Sequence, residues 1–246
     1  ALEPCDAFVT TSPSTRERIL AIMPTIDADR FHVIPHGRDF PSFRRAGTAP
    51  DRQLKILVAG NIDYSKGAEI IKELLEYDQE RRLQFHIVGT SPFETSNQIV
   101  IHGTYERDNF IQKVQPIGAS LGVLFSIWDE TWSHTLTEMW AAGLPVAVFD
   151  FPTVATRVRE TGAGWVLPHE DIKALYRELI RTCANDEQWI EKFRNVLRWQ
   201  RTASAQNTCL MAARYLQVYR AAVARRNASQ KPFAEAAETA VPASDK

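Results

Sequence analysis

Short apolar runs recur along the chain at 7–10, 31–35, 55–59, 84–88, 99–102, 121–126, 145–149 and 165–167. They are continuous rather than alternating, which predicts strands buried on both faces, as in a parallel sheet. Between most of them the spacing turns helical. In 66–81, for example, Ile70, Ile71, Leu74 and Leu75 fall on one helix face. Helices are also predicted at 133–142, 153–160 and 171–183. Strand–helix alternation of this kind specifies βαβ units on a parallel sheet. Two consecutive helices, 186–200 and 205–226, leave the alternation. The expected class is α/β: a Rossmann-like parallel sheet with helices on both faces and extra C-terminal helices.

Residues 44–53 are polar without apolar periodicity and read as a linker. Before them lies one βαβ unit, 7–35, whose sheet face cannot be closed by so few residues. Residues 1–43 therefore read as the end of a domain, and 54–203 as a complete doubly wound domain. Residues 204–226 read as a helix packing back across the domains. The tail 227–246 is rich in Ala, Ser, Glu and Pro with one aromatic, Phe233, and reads as disordered because it has little to bury. Asn227-Ala-Ser229 fits a glycosylation sequon but is read as chance. The chain opens on Ala-Leu-Glu-Pro without Met, which reads as a fragment.

Composition narrows the function. Of 246 residues 44% are hydrophobic, enough for an ordinary core. The 29 Lys+Arg against 30 Asp+Glu give a net charge of −1. That balance argues against a broad nucleic-acid surface and leaves room for a local basic pocket. Cys5, Cys183 and Cys209 form neither a disulfide framework nor a metal spacing, which suits a reducing compartment. No apolar run reaches the ~18–20 residues of a spanning helix.

In open α/β sheets, ligands bind beyond the carboxyl ends of the strands. After the strand at 55–59 come Gly60, Asn61 and then Lys66-Gly67. Gly60 permits a tight turn near a ligand. Lys66 stands where a helix begins, a poor place for a cation unless an anion is held there too; the plain alternative is a solvated loop lysine. The loop is neither a Walker loop nor a dinucleotide fingerprint, so ATPase and nicotinamide readings lose support. After the strand at 121–126, Glu130 and Glu138 bracket Thr-Trp132-Ser133-His134-Thr135-Leu-Thr. Ser133 reads as the N-cap of a helix. The amides of His134 and Thr135 then offer an anion site. Glu138 could accept hydrogen bonds from a sugar diol, and Glu130 faces the other end of a ligand. The alternative makes both carboxylates surface charges, with Trp132 and Trp140 in the core.

This set of motifs resembles the nucleotide-sugar-binding half of retaining glycosyltransferases of the two-Rossmann GT-B fold (glycosyl transferases group 1, family-4-like). The resemblance rests on Gly60…Lys66-Gly67, Glu130…Glu138 and Ala142-Gly143-Leu144-Pro145-Val146. It extends to Asp6–Ser12, Val33-Ile-Pro-His-Gly37 and Gly162-Ala-Gly164-Trp-Val-Leu-Pro168. It implies that Lys66 and the His134 and Thr135 amides grip a donor diphosphate. Glu138 would bind the ribose, and Glu130 the transferred sugar with the main chain of Trp132 and Ser133. Tyr105 would lie near the base. Lys66 and Glu130 are the implied catalytic groups.

The implied reaction moves a sugar from a nucleotide-diphosphate sugar to a glycan or lipid-linked acceptor. It keeps configuration and uses no metal or cofactor. Implied surroundings are a cytoplasmic enzyme of bacterial surface polysaccharide synthesis, with peripheral association at the inner membrane face and no nucleic-acid partner. The N-terminal acceptor domain would be missing, leaving the fragment nearly inactive. Two departures stand out: Asn61 where the family often has Arg, and Ser133 where many members have Gly. Alternatives are a nucleotide-sugar 2-epimerase-like enzyme and a non-catalytic binding or scaffold domain of the same fold.

Smaller signals receive structural readings. Asp27-Ala-Asp29 reads as a turn rather than a metal site. The six histidines show no ligand spacing, and His36 reads as a loop residue near the cleft. Arg157 and Arg159 read as a solvated helix face, with added charge for a phosphate as the alternative. Trp189, Phe193, Trp199, Tyr215 and Tyr219 have core-like spacing on the terminal helices.

Overall fold

The computed structural model describes residues 5–238. The chain divides into two compact units, residues 1–38 with 206–246 and residues 39–205. In the first, β1 (Phe8–Thr10) and β2 (Phe31–Val33) pair in parallel around α1 (Pro13–Ile22). Ser12 Oγ accepts from the Thr15 amide at 3.2 Å and Pro13 opens the helix, so both ends of the signal Ser-Pro are used as a cap. Asp27 Oδ1 accepts from the Asp29 amide at 2.9 Å. The Asp-Ala-Asp triplet thus builds the turn into β2.

The second unit contains β3 (Leu54–Asn61), α2 (Ala68–Tyr77), β4 (Leu83–Thr90), β5 (Ile99–Ile101), α3 (Phe110–Val114) and β6 (Leu121–Leu124). It continues with α4 (His134–Ala142), β7 (Val146–Phe149), α5 (Pro152–Thr161), β8 (Gly164–Leu167), α6 (Ile172–Glu178) and α7 (Asp186–Thr202). Its six strands are all parallel, in the order β5-β4-β3-β6-β7-β8. Each sheet face carries a hydrophobic cluster, one around Leu57, Val88 and Trp140, the other around Ile56, Phe85 and Phe149. The strand order turns back between β3 and β6. In this architecture a crevice opens at that point, beyond the strands' carboxyl ends.

Three segments differ from the sequence expectation. Residues 44–53 are stitched to this unit instead of hanging free. The amides of Arg44, Ala46 and Thr48 donate to the carbonyls of Ala141, Ala142 and Ala119 at 3.0, 2.8 and 3.1 Å, and Ala46 is buried. Backbone pairing of this kind leaves no side-chain periodicity to read. The helix expected over 171–183 ends at Glu178 and continues as a π-helical turn, Leu179–Cys183. In the first unit, α8 (Thr208–Glu238) runs on through 227–238, where no order was expected. Ala, Gln, Lys and Glu in this stretch are strong local helix formers, a factor outside the core-burial argument, while Pro232 within it is not. The rest of that expected tail, 239–246, lies outside the described residues.

Candidate functional site

The crevice is built from the loops after β3 and β6. Gly60, at the end of β3, has φ +115°, and a Cβ there would meet nothing within 4 Å, so the strand end opens onto free space. The chain then makes a 3-10 turn, Tyr64–Lys66. Asp63 Oδ1 accepts from the Lys66 amide at 3.1 Å and from Ser65 Oγ at 2.7 Å. The Ser65 hydrogen bond is the main cause holding the Asp63 carboxyl below its usual range. Gly67 follows with φ +83°, and a Cβ there would sit 2.4 Å from the Phe125 carbonyl oxygen. Only glycine satisfies both conditions, and this contact fixes the lysine turn against the end of β6.

There the Lys66 ammonium meets Glu130 in a close ion pair. It also lies 3.3 Å from Ser126 Oγ, while Ser126 Oγ donates to Glu130 Oε1 at 2.6 Å. The half-exposed Trp128 ring lies 5.5 Å from the ammonium. Burial raises the Glu130 pKa, but the hydrogen bonds from Lys66 and Ser126 and the Lys66 charge outweigh it and hold the carboxyl below its ordinary value. Glu130 is therefore ionised at neutral pH. A cavity of about 270 Å³ opens beside this pair, lined among others by Gly60, Asn61, Lys66, Ser126, Glu130 and Thr135. Five predicted positions, Gly60, Asn61, Lys66, Glu130 and Thr135, thus meet in one place, with Ser126 added to them. Asn61 is exposed and its Oδ1 accepts from the Thr90 hydroxyl across the β3–β4 ladder.

Helix α4 carries the other predicted residues. His134 is exposed, which suits a role through its backbone. Glu138 is buried and accepts from Tyr105 Oη at 3.2 Å. The Tyr105 ring packs on Phe110 of α3 at 4.9 Å. This brings together the two residues assigned to ribose and base. Ser133 occupies the N-cap position but makes no side-chain capping bond, and its φ is +67°. A capping hydroxyl needs the extended backbone, so the expected cap is corrected. The same positive φ explains why glycine suits this position.

Arg157 is a second correction. It is not a solvated face residue. Its Nη1 donates to the carbonyls of Trp132 and Ser133, the latter at 3.1 Å. Its guanidinium stacks 3.9 Å over the Trp132 ring and 5.7 Å from the Trp140 ring. Burial lowers its pKa to about 10, which leaves it charged at neutral pH. Arg159 does point outward and pairs with Asp150 at 2.7 Å.

Sequence spacing also missed a histidine pair. His86 Nδ1 lies 3.0 Å from His102 Nε2, and His86 Nε2 lies 3.0 Å from Gln84 Oε1. The two rings are 16 residues apart in sequence and meet only because β4 and β5 pair. Burial pushes His86 down to about 4 and lowers His102 as well. Among the described residues no group of three or more His, Cys, Asp or Glu could hold a metal. No described helix is long and apolar enough to cross a membrane. Of the terminal aromatics, Trp189 is buried and Phe193 and Trp199 are partly buried against the core, while Tyr219 is exposed.

The sequence model of the family described as glycosyl transferases group 1 matches residues 39–197. None of the curated proteins matches the chain. Among solved structures, sucrose-phosphate synthase from Thermosynechococcus elongatus is 20% identical, with a TM-score of 0.70 over 91% of this chain and 60% of that one. HepE of Anabaena, solved with UDP and glucose, is 16% identical, with a TM-score of 0.67 over 87% of this chain and 62% of that one. WaaG, a glycosyltransferase involved in lipopolysaccharide biosynthesis, is 16% identical, with a TM-score of 0.63 over 79% of this chain and 58% of that one. The chain thus spans about three fifths of the length of these relatives in fold.

Proposed function

The chain belongs to the glycosyl transferases group 1 family, and we propose that its second unit is the donor-binding half of a GT-B glycosyltransferase. The donor is a nucleotide-diphosphate sugar, and the acceptor a glycan or lipid-linked acceptor presented by an N-terminal domain. The observation that carries this reading is the Lys66–Ser126–Glu130 cluster at the sheet's switch point, beside the N-terminus of α4. A cation and a helix end there suit a diphosphate. A buried, ionised carboxylate next to them suits sugar hydroxyls. Glu138 with Tyr105 suits the ribose and base.

As the anomeric bond stretches, negative charge grows on the leaving diphosphate. Lys66 and the α4 amides then bind the transition state better than the ground state. That positive charge comes from the protein, in keeping with a reaction that uses no metal. Retention of configuration follows the family resemblance, with the acceptor approaching from the leaving-group side.

Because HepE was solved with UDP, UDP and UDP-sugars are the first ligands to test. The experiment is calorimetric titration of the chain with a panel of nucleosides, nucleoside diphosphates and nucleotide sugars. Binding of a diphosphate compound is expected, weakened far more in Lys66→Ala than nucleoside binding is. No binding of any of them at roughly millimolar concentration would overturn the reading. Interconversion of a UDP-sugar without acceptor would favour an epimerase.

A further inference from the structure

We propose that Arg157 is a positioning residue that builds the anion cradle from behind, by holding two successive carbonyls so that the amides paired with them face the donor. The proposal rests on the donor-site reading above. Arg157 sits on α5, outside the predicted ligand contacts. Its guanidinium is clamped in place by the Trp132 ring at 3.9 Å and the Trp140 ring at 5.7 Å. From there a single nitrogen, Nη1, reaches the carbonyl oxygens of both Trp132 and Ser133.

A trans peptide points its N–H opposite to its C=O. The Trp132 carbonyl shares its peptide with the Ser133 amide, and the Ser133 carbonyl shares its peptide with the His134 amide. Two carbonyls gathered on Arg157 therefore turn the Ser133 and His134 amides together, away from α5. Successive amides aimed at one point form a concave anion site. Residues on either side of this turn, Glu130 and Thr135, line the cavity beside Lys66. Holding the turn requires φ +67° at Ser133, a conformation that opposes a side chain. Nor does a capping hydroxyl fix it, since Ser133 makes none. Arg157 supplies the fixing bonds instead. A guanidinium fits the task because it stays charged and presents its donors in a rigid plane.

The test compares the chain with Arg157→Gln, Arg157→Lys and the double variant Arg157→Gln/Ser133→Gly. Calorimetry reads the affinity for UDP, inorganic pyrophosphate and uridine, and amide NMR reads Ser133 and His134 during the pyrophosphate titration. Arg157→Gln is expected to weaken UDP and pyrophosphate by about ten-fold and to leave uridine unchanged. The shifts of the two amides on adding pyrophosphate should shrink with it. Arg157→Lys should fall between, and it keeps the test open if the Gln variant does not fold. Glycine at 133 should restore part of the loss, because it adopts the positive φ unaided. A purely structural arginine would instead lower the melting temperature and weaken uridine and UDP alike. That result, or unchanged UDP and pyrophosphate affinity in Arg157→Gln and Arg157→Lys, overturns the proposal while the donor site stands. Failure of the parent chain to bind UDP, pyrophosphate and every other donor tested overturns both.

Discussion

Lys66 and Glu130 are paired in this structure, and a double-mutant cycle measures what that pairing is worth. The variants are Lys66→Met, Glu130→Gln and the pair together, unfolded in urea at pH 7. Glu130 is 9% exposed and Ser126 is its other hydrogen-bond donor on this side. A charged hydrogen bond contributes about 1.5–3 kcal/mol. The Lys66 side chain is 34% exposed, so solvent screening places the pair at the lower end, about 1.5 kcal/mol. Lys66→Met alone should cost more than this coupling, roughly 2–3 kcal/mol, because it strands a buried carboxylate. The sign with pH follows from the depressed Glu130 pKa. A carboxyl whose folded pKa is lowered contributes stability above its unfolded value and loses it as pH falls through the folded one. The coupling should therefore be full at pH 7 and fade below the ordinary carboxylate pKa. Saturating UDP should also reduce it, since the diphosphate takes over the ammonium. A coupling below about 0.5 kcal/mol at pH 7, or one untouched by acid, would refute this account of the pair.

Three further expectations follow from single contacts. Gly67→Ala should destabilise the chain by roughly 3 kcal/mol, adding positive-φ strain to a collision with the Phe125 carbonyl; urea unfolding within about 1 kcal/mol of the parent would contradict it. His86, neutral and buried with a pKa of about 4, stabilises the fold above pH 6.5 and loses that contribution as pH falls from there toward 4. His86→Gln should flatten the fall in melting temperature over that interval, and an unchanged slope would clear the histidine pair. Glu138→Gln should lose discrimination between uridine and 2′-deoxyuridine diphosphates, read by calorimetry; full discrimination would remove Glu138 from the ribose.

Much of the second unit was legible because its signals are local. Each predicted strand exists, since continuous apolar runs such as the one around Ile56–Val58 have one way to be buried. The proximity of Glu130 and Glu138 was legible too, because they lie on one short loop and helix. What escaped depends on contacts between distant segments. Helix α3 is five residues long, too short to show a period. Arg157 looks like any helical arginine until α5 packs behind the Trp132 carbonyl. His86 and His102 look scattered until β4 and β5 pair. The segment at 44–53 is anchored by main-chain bonds, which the identity of the side chains does not report.

Everything proposed for this site depends on Lys66 and the start of α4 holding a diphosphate. A crystal structure of this chain with UDP or a UDP-sugar bound would decide the point. Diphosphate oxygens should lie about 3 Å from Lys66 Nζ and from the Ser133, His134 and Thr135 amides, with Lys66 drawn off Glu130. A nucleotide bound elsewhere, with the Lys66–Glu130 pair intact, would contradict it.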